Sequence, residues 1–493
     1  MFSIKIPWTF RFLNCFIFLL TVSGVDRPGV RTLLTTRGLN FVRKLAIPVL
    51  LKKLNNLEIP PVSGNVDLFV GNLNYKFKNI KLSEIKIPKS YISMLNGTGI
   101  SVQGTEIAIK LDELWSYDFA SWPFISDKGS STVSAKELAL NIIIGVSKGS
   151  KEEPSVIAKD CSLNIGKLDI KFYGGASFLY NLFMTFIKEQ LKNQVEEVIC
   201  HNAVKAVNKE INETLRTIPG EVLMANDTLK RDLDLVRAPQ FLPNGVEIHS
   251  KAEFLRIKHP KMLLYTPEEL PPIRNEHSKM MYMWITAYTI NTLFFAVNQS
   301  GPQQYMFDSD DLPDSVPIKL NTNAFVFSVP PLYWKYPGKN LEILYRTSAP
   351  AKITLNPNDG LITLYAKMTF FVILDNNTLV DCFTLNVVEV AHVNEVLVFR
   401  KGNYSYIGLI GLKISNSRTD ITLQETHIGN FDLTLLQFTF KVLAQYILSI
   451  YISPKMEEGF KLPLPKDFVV KNSETAIGKN YILVFTDLEK IHH

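Results

Sequence analysis

The chain of 493 residues has only four cysteines, eight histidines and 20% charged residues, and its formal charge of +6 is small for its length. No Walker loop, H-E-x-x-H pair or paired C-x-x-C occurs, so the common phosphate-cradle and zinc arrangements are missing. Gly97, Gly99 and Gly104 lack dinucleotide spacing and read as turns. Asp308, Asp310, Asp311 and Asp314 crowd one segment without the glycine and closing glutamate of a calcium loop, which makes them a turn and helix cap. The scattered basic residues argue against nucleic acid as a partner. Nothing recommends an enzyme, a metal site or a cofactor.

Long apolar runs are also scarce. The one at the start, Phe12 to Val22, follows Lys5 and Arg11 and precedes Ser23-Gly24. That order predicts a cleaved secretory signal over residues 1–24; an uncleaved anchor is the rival, but the run is shorter than the roughly 20 apolar residues of a span. Later candidates, Tyr288 to Val297 and Leu433 to Ile452, are short or interrupted by Gln437, Lys441 and Gln445, so no second span is expected. The expected location is extracellular. Six N-x-[ST] sequons, at Asn96, Asn212, Asn226, Asn298, Asn376 and Asn403, fit secretion and are the candidate glycosylation sites.

Removing the signal removes Cys15 and leaves Cys161, Cys200 and Cys382, an odd number that predicts one disulfide and one free thiol. Cys161 and Cys200 flank one structural unit and are the natural pair. Cys382 lies in an apolar strand-like run and reads as buried and inert.

Hydrophobic residues are 46% of the chain, Phe is frequent at 31, and the length exceeds what one core fills. Two domains are expected: 25–235 and 275–493, with a proline-rich connector over 236–274. A helical pattern from Leu33 to Leu57 carries Leu39, Val42, Ala46, Val49, Leu50 and Leu54, with Pro48 set to kink it. Alternation from Val66 to Ile170 predicts an antiparallel meander. The strongest helix, Ser177 to Ile218, places Leu179, Phe183, Ile187, Leu191, Val195 and Val198 in one stripe, then slips in register before Ala203, Val207 and Ile211. Strands return over Ile318 to Thr426 and a second long helix over Phe431 to Ile452. Helix, meander, long helix and proline thus occur twice, an internal duplication.

Several ordered segments carry a resemblance. V-D-R-P-G-V-R (25–31) with T-R-G-L-N-F (36–41), Y-K-F-K-N-I-K-L-S-E-I-K-I-P-K-S-Y-I-S-M (75–94), E-G-F-K-L-P-L-P (458–465) and N-Y-I-L-V-F-T-D-L (480–488) resemble the bactericidal/permeability-increasing and lipopolysaccharide-binding protein family, the lipid-transfer family of serum glycoproteins. Cys161 and Cys200 stand where that family ties a strand to its long helix.

The resemblance implies an α+β fold of two barrel-like domains, each a curved antiparallel sheet wrapped on long helices, joined by a central sheet in a boomerang shape, with 236–274 crossing in that sheet and 275–493 supplying its last strands. Each barrel would hold an apolar lipid pocket against its helices, with Leu39, Val42 and Ala46 of the first helix and Leu179, Phe183, Phe186 and Ile187 of the second as candidates. The chain runs only a few residues past its last strand, which disfavours neutral-lipid exchange of the cholesteryl ester transfer kind. The implied function is secreted lipid binding: phospholipid acyl chains held in apolar pockets of a monomer that meets a membrane or lipoprotein surface and transfers lipid between membranes. Alternatives are innate defence by binding lipopolysaccharide, and a structural or interaction protein with solid barrels.

Endotoxin binders of this family place basic residues on loops at the N-terminal tip. The matching stretches here, 62–72 and 111–124, contain none. The second carries Trp115, Tyr117, Phe119, Trp122 and Phe124, expected either to meet a membrane interface or to cap the barrel from inside.

Overall fold

The computed structural model describes residues 27–491 apart from 56, 69–70, 121–123, 150–151, 175–179, 217–220, 225–228, 259–266, 275, 313–315, 317, 400–408 and 466. The leader expected over 1–24 lies outside the described residues. At the centre is a six-stranded antiparallel sheet, in the order 240–242, 245–250, 30–35, 281–286, 481–490 and 468–478. Its two middle strands, Val30–Thr35 and Met281–Thr286, pair with each other, Val30 opposite Ile285 and Leu34 opposite Met281.

Those two strands behave as a local dyad. Each ends in a threonine whose side chain caps the following helix, Thr35 accepting from Gly38 N and Thr286 from Thr289 N, which satisfies an otherwise orphaned donor. The same threonines bind across the axis. The N–H and hydroxyl of Thr35 reach Met280 O, and those of Thr286 reach Gly29 O. Gly29 is needed there because a Cβ would lie 2.0 Å from Lys251 O. The helical pattern read from Leu33 therefore starts later, at Thr36, since Leu33 and Leu34 belong to the strand.

On one side of the centre, helix α1 (Thr36–Leu54) and helix α2 (Tyr180–Ala206) pack on a strongly curved sheet. Its main strands are 58–59, 71–86, 99–119, 126–148 and 154–164, with 62–68, 89–95 and 167–173 attached. Period-two burial along these strands puts Leu73, Tyr75, Phe77, Ile109, Leu111 and Val133 inside. Ile187, Leu191, Val195, Ile199 and Ala203 of α2 meet them at a spacing of four. The four larger side chains contribute roughly 1.5–3 kcal/mol each by burial. On the other side, helix α3 (Ala287–Gln299) and helix α4 (Leu433–Ile447) pack on strands 304–307, 340–356, 359–373, 379–399, 409–426 and 460–461. The result is the α+β boomerang of two barrels about a central sheet.

The stripe of the first long helix keeps its spacing of four through Ile199 and Ala203, so the slip expected before Ala203 is absent; the irregularity comes later, as a π-helical turn at Val207–Ile211. The second long helix carries its counterpart, Leu448–Ile452, so the duplication extends to the irregularity. In the first barrel the extra residue turns Asn208 and Asn212 onto one strand edge: Ala158 N donates to Asn208 Oδ1, Val156 N donates to Asn212 Oδ1, and Asn212 Nδ2 donates to Val156 O.

The segment 236–274, expected as a proline-rich connector and central-sheet crossing, supplies strands Gln240–Leu242 and Gly245–Ser250 to the central sheet and Glu253–Arg256 to a three-stranded sheet with Glu221–Met224 and Leu229–Asp232. Pro239 and Pro243 fall just outside these strands, where a missing donor costs no ladder bond. The helical run Leu433–Glu458 is long and apolar enough to cross a membrane, at mean hydropathy 1.4. Here Leu436, Phe440, Leu443, Ala444 and Leu448 of that run are buried in the barrel.

Candidate functional site

Cys161, on strand Pro154–Asn164, and Cys200, on α2, are bonded to each other with Cα atoms 5.6 Å apart, while Cys382 is free and buried. The tie fixes the long helix to the sheet edge that Asn208 and Asn212 also grip. Burial pushes the Cys382 thiol up to about 11, which keeps it protonated and unreactive.

The lipid-pocket candidates separate by face. Leu39 and Ile187 are packed in the first barrel's core. Val42 and Ala46 of α1 and Phe186 of α2 are exposed, so they do not belong to the protein's own core. Leu179 and the side chain of Phe183 lie outside the described residues. On α1 the uncovered set also includes Val49, and α4 of the second barrel leaves Leu435 and Phe438 uncovered, Phe438 at 79% exposure. Composition alone missed this helix-borne apolar surface, because the three-to-four-residue spacing that marks a stripe does not say what covers it. A polar cleft of about 260 Å³ lies between Glu153, Ser155, Asn208, Asn212 and Arg216, and another cleft of about 500 Å³ runs along His201, Val204, Lys205 and Lys209.

Of the five aromatic residues expected either to meet a membrane interface or to cap the barrel from inside, three point inward. Gly99–Phe119 is one continuous strand, and its alternation sends Trp115, Tyr117 and Phe119 inward, at 3%, 3% and 5% exposure. Trp115 stacks on Tyr117 with centroids 5.9 Å apart and donates its indole N–H to Ser130 O. The signal was legible: Leu111, Glu113, Trp115, Tyr117 and Phe119 are all odd-numbered, as a single strand face requires. Phe124 does face solvent, at 70% exposure, beside Ile125, and Trp122 lies outside the described residues. Basic residues also reach this end from neighbouring strands, Lys76 and Lys128 both standing opposite Ser116, which a search of 62–72 and 111–124 alone could not find.

The same alternation buries a carboxyl that the sequence reading passed over. Glu113, 3% exposed, accepts a hydrogen bond from Ser131 Oγ at 2.8 Å, while its Oε2 has no partner. Burial raises its pKa to about 7. The second barrel repeats the device with Glu389, 4% exposed between Val387 and Ala391, where burial raises the carboxyl to about 8. Burial, and to a lesser extent the nearby Glu389, pushes the Tyr345 hydroxyl up as well.

Among the sequons, Asn96 and Asn376 are exposed on turns and Asn298 is half-buried near the end of α3. Asn212 spends its amide on strand backbone, and Asn226 and Asn403 lie outside the described residues. Asp308 and Asp311 form a turn through backbone N–H donors, and no group of three or more metal-ligating side chains occurs among the described residues.

Comparison with known proteins agrees with this architecture. The family model "LBP / BPI / CETP family, N-terminal domain" matches residues 38–216 and its C-terminal counterpart matches 225–490. The chain is 26% identical over 466 residues to a bactericidal permeability-increasing protein of Sebastes schlegelii, covering 94% of this chain and 95% of that one. It is 27% identical over 474 residues to a lipopolysaccharide-binding protein of Mus musculus, covering 95% of each. A crystal structure of lipopolysaccharide binding protein superposes over 95% of this chain and 100% of that one, with a TM-score of 0.62 at 24% identity. With the C-terminal match alone spanning more than half of the sequence, the chain belongs to the LBP / BPI / CETP family of lipid-binding, non-enzymatic proteins.

Proposed function

We propose that this protein is a secreted, monomeric phospholipid carrier that shelters acyl chains against its barrel helices and exchanges lipid at a membrane or lipoprotein surface. The observation that carries the reading is the apolar surface left uncovered on the helices of both barrels: Val42 and Val49 on α1, Phe186 on α2, and Leu435 and Phe438 on α4. Large apolar side chains on helices that otherwise bury their stripes call for an apolar cover. A two-chain lipid has about 30 methylenes, so its transfer from water is worth some 20–25 kcal/mol at about 0.8 kcal/mol each. A soluble carrier must match most of that.

Full-length protein from a eukaryotic secretory host should carry phospholipid in native mass spectra and take up a fluorescent phosphatidylcholine, and F186D together with F438D should abolish uptake while leaving the fold intact. Absence of both co-purified lipid and uptake would refute the reading and favour solid barrels. Lipopolysaccharide is the second reading, favoured by Lys76 and Lys128 in register at the end of the first barrel and by the names of the relatives. Side-by-side titration with lipid A and phosphatidylcholine vesicles separates them: a strong, salt-sensitive preference for lipid A selects the second.

A further inference from the structure

Among the described residues two arginines, Arg31 and Arg231, are buried, and they are not in the same situation. Arg31, 5% exposed, has Glu247 Oε1 at 3.7 Å and lies over the Trp284 ring at 4.1 Å. Arg231, 3% exposed, makes one hydrogen bond among the described residues, from Nη1 to Lys461 O, and its buried Nε has none. No carboxylate among the described residues stands beside it. Burial lowers its pKa to about 10, so it remains a cation at neutral pH. A guanidinium offers five donors in a rigid fork, and a buried charge without a partner is strongly disfavoured.

The surroundings are apolar on one side and cationic on the other. Arg231 stands opposite Phe254, and Leu229 opposite Arg256, in the three-stranded sheet. Cross-strand partners share a face, as do alternate residues along a strand, so all four project from the same side. Leu229 and Phe254 pack with Ala296 of α3 and with Phe460, whose ring meets Phe254 edge-on at 5.8 Å. Arg256 donates to Gln299 O at the end of α3. The acids of these two strands, Asp232 and Glu253, pair with each other across the opposite face.

We propose that Arg231 is an oxyanion-binding subsite, taking the phosphate or carboxylate of an amphipathic lipid whose chain reaches the half-buried Phe460. This rests on the lipid-carrier reading and deepens it. An oxyanion would receive charge-assisted hydrogen bonds from the unused side of the guanidinium, and Gly459, at φ +61° with its Cβ position 1.9 Å from Ile410 O, fixes the backbone that presents Phe460 and Lys461.

The test uses delipidated full-length protein, wild type, R231M and R231K, offered dioleoylphosphatidylcholine, dioleoylglycerol, oleate or inorganic phosphate. Lipid occupancy is read by native mass spectrometry and ligand-induced stabilisation by thermal melting. In R231M the preference for phosphatidylcholine over dioleoylglycerol should fall about tenfold or more, with dioleoylglycerol uptake unchanged and R231K intermediate. Oleate uptake should fall with phosphatidylcholine. Equal phosphatidylcholine uptake by R231M and wild type overturns the proposal, as does a parallel loss of phosphatidylcholine and dioleoylglycerol, which marks a purely structural arginine. If the wild type takes up no lipid, the carrier reading fails by itself. In that case a melting shift with phosphate in wild type but not in R231M supports an anion subsite for free phosphate, and no shift in either overturns it.

Discussion

Replacing Glu389 by Gln isolates the energetic consequence of placing a carboxyl on the inner wall of a barrel. Glu389 is 4% exposed, its Oε1 has no hydrogen-bond partner, and burial alone raises its pKa from an ordinary 4.5 to about 8. Because the folded state holds this proton more tightly than the unfolded chain, stability is unaffected below about pH 4.5. It then falls as the pH rises through the interval up to about 8, opposite in sign to a salt-bridged carboxylate. Over that interval the loss approaches about 5 kcal/mol at about 1.4 kcal/mol per pH unit. The amide of E389Q does not ionise and escapes the loss. Urea unfolding followed by circular dichroism at about pH 4.5 and about pH 8.5 should therefore show near-equal midpoints at the acid value. At the alkaline value the variant should be ahead by about 2 M, taking an m-value of roughly 2.5 kcal/mol/M. A difference between the two proteins that does not change with pH would refute the reasoning, because a packing effect of the substitution acts equally at both values.

Breaking the Cys161–Cys200 bond with C161S/C200S opens a loop with a sequence separation of 39, which on the chain-entropy model costs about 4 kcal/mol; calorimetry should show the first barrel's transition lowered and the second's unmoved. N291A removes a side chain, 8% exposed, that accepts from Ile353 N at 2.8 Å and donates to Ile353 O at 3.1 Å. Leaving both backbone groups unpaired should cost about 2–4 kcal/mol in urea unfolding, and a loss below about 0.5 kcal/mol would show that water replaces the amide. Peptide mapping of secreted protein should find glycan on Asn96 and Asn376 and none on Asn212, whose amide nitrogen donates to Val156 O and Asn208 O. F124D should weaken partition onto phosphatidylcholine vesicles about tenfold or more if Phe124, 70% exposed, enters the interface; unchanged partition would remove this tip from the membrane contact.

The sequence by itself determined the elements whose cause is local. The helical spacing of Ile187, Leu191 and Val195, the alternation of Ile107, Ile109 and Leu111, and the recurrence of helix, meander and long helix were all legible, because periodicity and turn chemistry act over a few residues. Sequence spacing places the break in that helix before Ala203, but Ile199 carries the stripe onward and the π turn lies at Val207–Ile211, where it turns Asn208 and Asn212 onto strand 154–164. Tertiary structure decided which side of an element faces what. For Trp115, Tyr117 and Phe119 the sequence leaves membrane contact and an inward cap both open, and the 21-residue strand that carries their alternation turns them into the barrel. Val42 and Ala46 share a helix with buried Leu39 yet face outward. The isolation of Arg231 could not be read at all: whether a buried charge has a counter-charge depends on strands about 25 and about 230 residues away along the chain, and Coulomb interactions depend on distance in space alone.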